Sequence, residues 1–137
     1  MAHEKFPVEV LTPEGEVFND EVEMVSTKTA VGSIGVLAHH QPLLAMLDPA
    51  ELRLYRSESD VVSFAQAEGY LQVVNNRAMI LVEEAHDPAS LDVATLRDRL
   101  SEAERTLESA DGDSERARTA ARDKRRLQRF IEISEGS

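Results

Sequence analysis

The sequence has no cysteine and no tryptophan. The first absence excludes disulfides and thiolate metal sites and fits a reducing compartment. Aromatic residues are few, four Phe and two Tyr, although 42% of the chain is hydrophobic, enough for a core. No apolar stretch approaches the roughly 18 residues that a membrane span requires. The longest, such as Ala78–Val82, are the size of a strand. No basic segment precedes an apolar one at the N-terminus, so no secretory leader is expected. The Arg-rich, acid-poor composition of a transit peptide is also missing. There is no P-loop, because no Gly-rich run leads into Lys-Ser or Lys-Thr. Gly32-x-x-Gly35 is not followed by a helical pattern and so is no dinucleotide fingerprint. No Ser/His/Asp or Cys/His arrangement shows a local signature. A catalytic role is therefore not expected.

What the chain does have is charge, and it is unevenly spread. The net value is −11 over 137 residues, which argues against nucleic acid as a partner. Residues 1–86 carry −9, residues 87–113 carry −5, and residues 114–131 carry +5. A sign change of that size within one short chain calls for an explanation.

The hydrophobic pattern divides at nearly the same place. Phe6, Val8 and Val10 alternate with Glu9, the period of a half-buried strand. Pro13-Glu14-Gly15 reads as a turn. Val22, Met24 and Val25 with Thr27 predict another strand, as do Leu52 and Leu54 around Arg53. A polar turn, 57–60, then leads into Val61–Ala65. Tyr70–Val74 and Ala78–Val82 are joined by Asn75-Asn76-Arg77, a hairpin connection in which Asn tolerates positive φ. Short strands at this spacing predict a β-sandwich or flattened barrel over residues 1–86.

Past Asp87-Pro88 the alternation stops. Ser90 is read as a helix N-cap with Asp92 in the first turn. Leu96, Leu100, Ala103 and Leu107 repeat at helical spacing. A turn at 110–113 follows, Ser114 caps a second helix, and Ala117, Ala120, Ala121, Leu127 and Ile131 form its stripe with Phe130 beside it. Two helices joined by a short turn predict an antiparallel hairpin over residues 87–137. The fold class is thus α+β, a sandwich followed by a helical hairpin.

The hairpin looks weakly committed to one position. The first half of the second helix offers only alanines to its partner, and each buries far less area than a Leu, worth about 1.5–3 kcal/mol when fully buried. Arg118/Arg122, Arg122/Arg126 and Arg125/Arg129 are like-charge i,i+4 pairs, each unfavourable by about 0.2–0.5 kcal/mol. The acidic first helix can offset this, and so can an acidic surface on another protein. Arginine's fork suits a carboxylate surface better than nucleic acid suits this chain. The competing reading is an ordinary solvated face.

Two further constellations bear on function. The histidines His39, His40 and His86, with Glu83 and Glu84, invite a metal-dependent enzyme, but adjacent histidines diverge on either strand or helix, and no metal is expected. The run from Gly32 to Leu44 combines two permissive glycines, the rigid Pro42 and apolar anchors, the parts of a shaped docking loop.

Three segments in order carry a family resemblance. Val8-Glu9-Val10-Leu11-Thr12-Pro13 with Val17-Phe18 comes first. Gly32-x-Ile34-Gly35-Val36-Leu37 with His40-x-Pro42-Leu43-Leu44 is the second, and Gly69-Tyr70-Leu71-Gln72-Val73 the third. Together with the C-terminal hairpin they resemble the epsilon subunit of bacterial F-type ATP synthases over nearly the whole chain. The resemblance implies a non-catalytic central-stalk subunit of a proton- or sodium-translocating synthase. Its sandwich would dock on the gamma subunit and on the c subunits of the rotor ring through Gly32, Ser33, Ile34, His40, Gln41 and Pro42. The hairpin would extend to set Arg122, Arg125, Arg126 and Arg129 against the catalytic beta subunits and inhibit ATP hydrolysis. The location implied is the cytoplasmic face of the bacterial plasma membrane, with membrane association only through the complex.

Some family members bind ATP at an Ile/Leu-Asp-x-x-Arg-Ala motif. Leu91-Asp92 match its start, but Thr95 and Leu96 stand where Arg-Ala would, so Asp92 is a weak nucleotide ligand and no cofactor is expected. Glu68 also stands where many members have glycine, and Ala50 or Glu51 where a turn glycine is common. A free-standing adaptor or chaperone-like module with a charged arm is the alternative reading.

Overall fold

Alternating side chains make strands wherever one face can be buried, and here they do so ten times among the described residues, 3–136, of this computed structural model. The strands are β1 (Phe6–Thr12), β2 (Gly15–Val22), β3 (Met24–Thr29), β4 (Gly32–Leu37), β5 (Leu43–Leu47), β6 (Ala50–Tyr55), β7 (Val61–Gln66), β8 (Gly69–Val74), β9 (Arg77–Val82) and β10 (Ala85–His86). Their order is β10-β7-β6-β3-β5-β8-β9-β1-β2, with β4 on the other side of β3. Pairing is antiparallel except between β1 and β9, which run parallel from Val8↔Ala78 to Leu11↔Leu81. The layers fold over each other because β3 pairs at Met24–Ser26 with β6 but at Thr29 with Leu47 of β5.

The inward residues of both layers form one core. Phe6, Val8, Val10, Val22, Val25, Val36, Leu52, Leu54, Leu71 and Ile80 are almost wholly shielded from water. Ile34, Ala38, Leu43, Val62, Phe64 and Ala85 pack against them half-buried. Every member of this core lies before Pro88, and residues up to Asp87 form one compact unit, residues from Pro88 onward a second.

The second unit starts with a short 3-10 turn, Pro88–Ser90, followed by α1 (Val93–Ser109) and α2 (Glu115–Glu135). The N-cap of α1 is Asp92 rather than Ser90. Pro88 forces the tight turn that takes up Ser90, which moves the first helical residue on by two positions. Ser114 caps α2 as expected, accepting from the Ala117 N–H at 3.1 Å. The helices run antiparallel, Arg97 pairing with Glu135 near one end and Glu104 lying 3.8 Å from Lys124 further along.

Burial on α2 is wider than one stripe. Ala117, Ala120, Leu127 and Ile131 form the expected line, but Ala121 is exposed. From Arg126 onward a second buried line appears, made of Arg126, Phe130 and Ile133. The alanine half therefore buries a narrow face and the C-terminal half a broad one. Between the alanine half and α1 a groove of about 320 Å³ remains, floored by Ala103, Ala120 and Leu127 and rimmed by Arg99, Arg116 and Asp123. Methyl groups are too short to fill the space that leucines would close.

Candidate functional site

The run from Gly32 to Leu44, expected to be one docking loop, is a strand, a short loop and the start of another strand. Glycine does not prevent β pairing when the strand is at an edge, and among the described residues β4 pairs on one side only, with β3. Ser33, Gly35 and Leu37 point outward, Val36 is buried and Ile34 is half-buried against the core. Ile34 is thus a packing residue, whereas Ser33 is presented to solvent. The Gly32 turn and the His40–Pro42 loop sit at opposite ends of β4, about 17 Å apart at 3.3 Å per residue.

The β3–β4 turn is built around Thr29. Its hydroxyl donates to the Gly32 carbonyl at 2.9 Å and accepts from the Val31 N–H at 3.2 Å. Gly32 has φ of 138°, a conformation that strains any other residue. At the tip Val31 is 98% exposed, a β-branched apolar side chain held entirely in solvent.

At the other end of β4, residues 38–42 form the connecting loop. His39 has φ of 64°, the left-handed region, which costs about 1–2 kcal/mol for a residue with a Cβ. Its N–H donates to the side-chain oxygen of Asn76 at 2.7 Å, and its ring contacts the Glu4 carboxylate. The His40 N–H donates to the Leu37 carbonyl at 3.3 Å, and its ring Nδ1 lies 2.7 Å from the Gln41 carbonyl. Gln41 and Pro42 are exposed and His40 half-buried. Asn75 and Asn76, with φ of 51° and 59°, make the two-residue β8–β9 turn. His86, the third histidine of the metal reading, contacts Glu84 instead, 2.8 Å away. No three metal-binding side chains gather among the described residues.

Sequence reasoning missed an apolar outer face. On β5 Leu44 is 72% and Met46 62% exposed; Met46 pairs across to Tyr70 and Tyr70 to Leu81, both also exposed. A surface strand advertises its outer face by polar alternation, and β5 is apolar at every position, so periodicity could not divide its faces.

The basic helix is also rearranged relative to expectation. Arg126 is only 7% exposed and leaves the outer face. Arg118, Arg122 and Arg125 are exposed and Arg129 partly so. Their spacing, i, i+4, i+7 and i+11, draws one stripe along α2. Arg122 bridges to Asp123 at 3.3 Å, Arg129 to Glu132 at 3.0 Å, and Arg118 reaches the Asp113 carbonyl. Arg118, outside the expected set, lies on the same stripe.

Asp92 is occupied by its cap. Its carboxylate accepts from the Thr95 hydroxyl at 2.9 Å, the Ala94 N–H at 3.1 Å and the Thr95 N–H at 3.5 Å. The Thr95 hydroxyl first, and the Thr95 N–H next, hold this carboxyl below its ordinary range. A depressed folded-state value means that the cap stabilises above the usual carboxylate titration and is lost as pH falls through the folded-state value. Asp92→Ala is expected to lower the thermal midpoint of the helices at neutral pH and to flatten that part of their acid loss. Asp92→Asn, which still caps, should keep the midpoint and lose the pH dependence. Far-UV circular dichroism melts across the acid range measure both; equal behaviour of the two variants would remove Asp92 as the cap.

Residues 5–88 match the family described as the beta-sandwich domain of the ATP synthase delta/epsilon chain. The ATP synthase epsilon chain of Persephonella marina is 38% identical over 106 residues, covering 77% of this chain and 78% of that one. That of Rubrobacter xylanophilus is 37% identical over 113 residues, covering 80% and 77%. Among solved structures, a chain of the Euglena gracilis mitochondrial ATP synthase aligns with a TM-score of 0.75 at 20% identity, over 96% of this chain and 80% of that chain. A chain of the Tetrahymena thermophila central stalk and c-ring assembly gives 0.63 at 19%, over 98% and 99%. At those identities the structures speak for the fold, and the sequence relatives for the lineage: the chain belongs to the ATP synthase epsilon-chain family.

Proposed function

We propose that this chain is a non-catalytic central-stalk subunit that couples the gamma subunit to the c subunits of the membrane rotor ring and restrains ATP hydrolysis through its hairpin. The observation that carries the reading is the outward stripe of Arg118, Arg122, Arg125 and Arg129 on α2, a cationic rod in a chain of net charge −11. Such a rod suits an acidic partner, here the catalytic beta subunits. The exposed turn at Val31, Gly32 and Ser33 and the loop His40-Gln41-Pro42 are the two points offered to the rotor ring and gamma. Their separation along β4 suits contact with two neighbours rather than one.

ATP binding at the start of α1 is weak or absent in this reading. Asp92 is engaged with Thr95, and Arg97, the nearest arginine, pairs with Glu135. No helix among the described residues is long and apolar enough to cross a membrane. Attachment to the cytoplasmic face of a bacterial plasma membrane then comes through the complex, whether the coupling ion is a proton or sodium.

Reconstitution tests the assembly. Tagged full-length chain mixed with an epsilon-depleted bacterial ATP synthase should bring down gamma and c subunits together and survive gel filtration as one complex. Recovery of the chain alone would favour a free-standing adaptor instead.

A further inference from the structure

We infer that Asn76 is the positioning residue of the 38–42 loop, and that the loop's docking shape is set from 37 residues away by one carboxamide. This rests on the reading above, in which His40, Gln41 and Pro42 meet a stalk or rotor partner.

The loop's shape needs an external hold. His39 sits in the left-handed region at φ of 64°. A β-carbon disfavours that region, and strain of this kind persists only where surrounding structure over-determines it. Among the described residues the loop's own backbone hydrogen bond is one long one, His40 N–H to the Leu37 carbonyl at 3.3 Å. The Asn76 side chain is well suited to supply the hold. Its oxygen accepts the His39 N–H at 2.7 Å, which ties the strained peptide to a rigid two-residue turn. That turn is fixed in register by Val74↔Arg77 and Val73↔Ala78 on either side. Asn76 itself adopts φ of 59°, a region that Asn occupies several-fold more often than most residues with a β-carbon. The Glu4 carboxylate then steadies the His39 ring from the chain's N-terminal segment. With His39 pinned at its backbone and its ring, half-buried His40 and exposed Gln41 and Pro42 are held in one conformation. Such pre-organisation lowers the ordering cost of a docking loop.

The position permits a clean test, because glycine is at home at φ of 59°. Asn76→Gly removes the acceptor and keeps the turn, and Asn76→Asp keeps both. Amide exchange by NMR and affinity for an epsilon-depleted ATP synthase are measured on the full chain, with His40→Ala as the loop control. For Asn76→Gly we expect the His39 amide to exchange about tenfold faster and affinity to fall about fivefold, the worth of one hydrogen bond, with the thermal midpoint little changed. Asn76→Asp should restore both. Unchanged exchange in Asn76→Gly overturns the positioning role whatever the affinity does. Faster exchange with unchanged affinity, where His40→Ala does weaken binding, overturns the claim that this shape matters for docking. If His40→Ala leaves affinity untouched, the loop is no docking element and the reading beneath the proposal fails, recognisably, while the exchange data still report on Asn76.

Discussion

Gly69→Ala is expected to unfold the sandwich at temperatures where the parent chain is native. A β-carbon built on Gly69 would stand 1.9 Å from the Leu81 carbonyl oxygen and 2.7 Å from the Val82 Cα. Both are backbone atoms of β9, so no side-chain rotation relieves the clash. Gly69 opens β8, where it pairs with Val82 on one side and Leu47 of β5 on the other. Moving it away breaks the ladder in the centre of the strand order, beside the fully buried Leu71 and Ile80. Overpacking of a side chain costs about 1–3 kcal/mol, and here the obstruction is main chain, so about 3 kcal/mol or more is expected. For a unit of this size that lowers the thermal midpoint by at least about 12 °C. Gly35→Ala, in the same unit and with the Met24 sulfur at 3.9 Å as the one atom within 4 Å of the added carbon, is the matched control and should move the midpoint by no more than about 4 °C (~0.5 kcal/mol). Equal melting of the two variants would show that β9 can yield at this point. The φ of Gly69 is unexceptional, so the requirement for glycine is one of close approach rather than of backbone conformation.

This glycine also shows how far the sequence could be read. Gly69-Tyr70-Leu71-Gln72-Val73 stood out as a glycine-marked strand, but the atom that demands the glycine belongs to a neighbouring strand and is invisible in one dimension. Strands with polar outer faces, β1 and β6 among them, were legible because alternation separates their faces. β4 and β5 were not, since Gly32 and Gly35 depress β propensity in one and leucines, Ala45 and Met46 occupy every position of the other. Tertiary pairing with β3 and β8 decided both. The two-residue bridge β10 depends wholly on Ala65 and Gln66 of β7 and has no local signal. On the hairpin, periodicity found the alanine line but not Arg126, because a charged residue is assigned outward by default. Phe130 beside the stripe was the one hint that the buried arc widens there. The site was legible as residue types and illegible as places: Ser33 and His40 were read together and lie at opposite ends of a strand.

Deletion of residues 88–137 is expected to leave a folded sandwich, to preserve assembly, and to raise ATP hydrolysis of the reconstituted complex about thirtyfold. The structural half follows from the core, whose members all lie between Phe6 and Ala85, so that truncation removes none of them. The functional half follows from charge. An exposed ion pair contributes about 0.5 kcal/mol, and the four arginines of the α2 stripe together about 2 kcal/mol, enough for a change of more than tenfold in a rate they oppose. Replacing Arg118, Arg122, Arg125 and Arg129 by Ala in the full chain should then reproduce most of the deletion's effect. The parent's inhibition should itself fade as salt rises, because exposed pairs are screened. Arg126→Ala separates contact from folding. Being buried, Arg126 should act on the melting of the hairpin, and whatever inhibition that variant loses should return on cooling rather than follow salt. If hydrolysis does not respond to the deletion, the rod is a spacer. If it responds to the deletion but not to the four arginines, the hairpin inhibits by bulk, and the sign reversal along the chain serves another purpose.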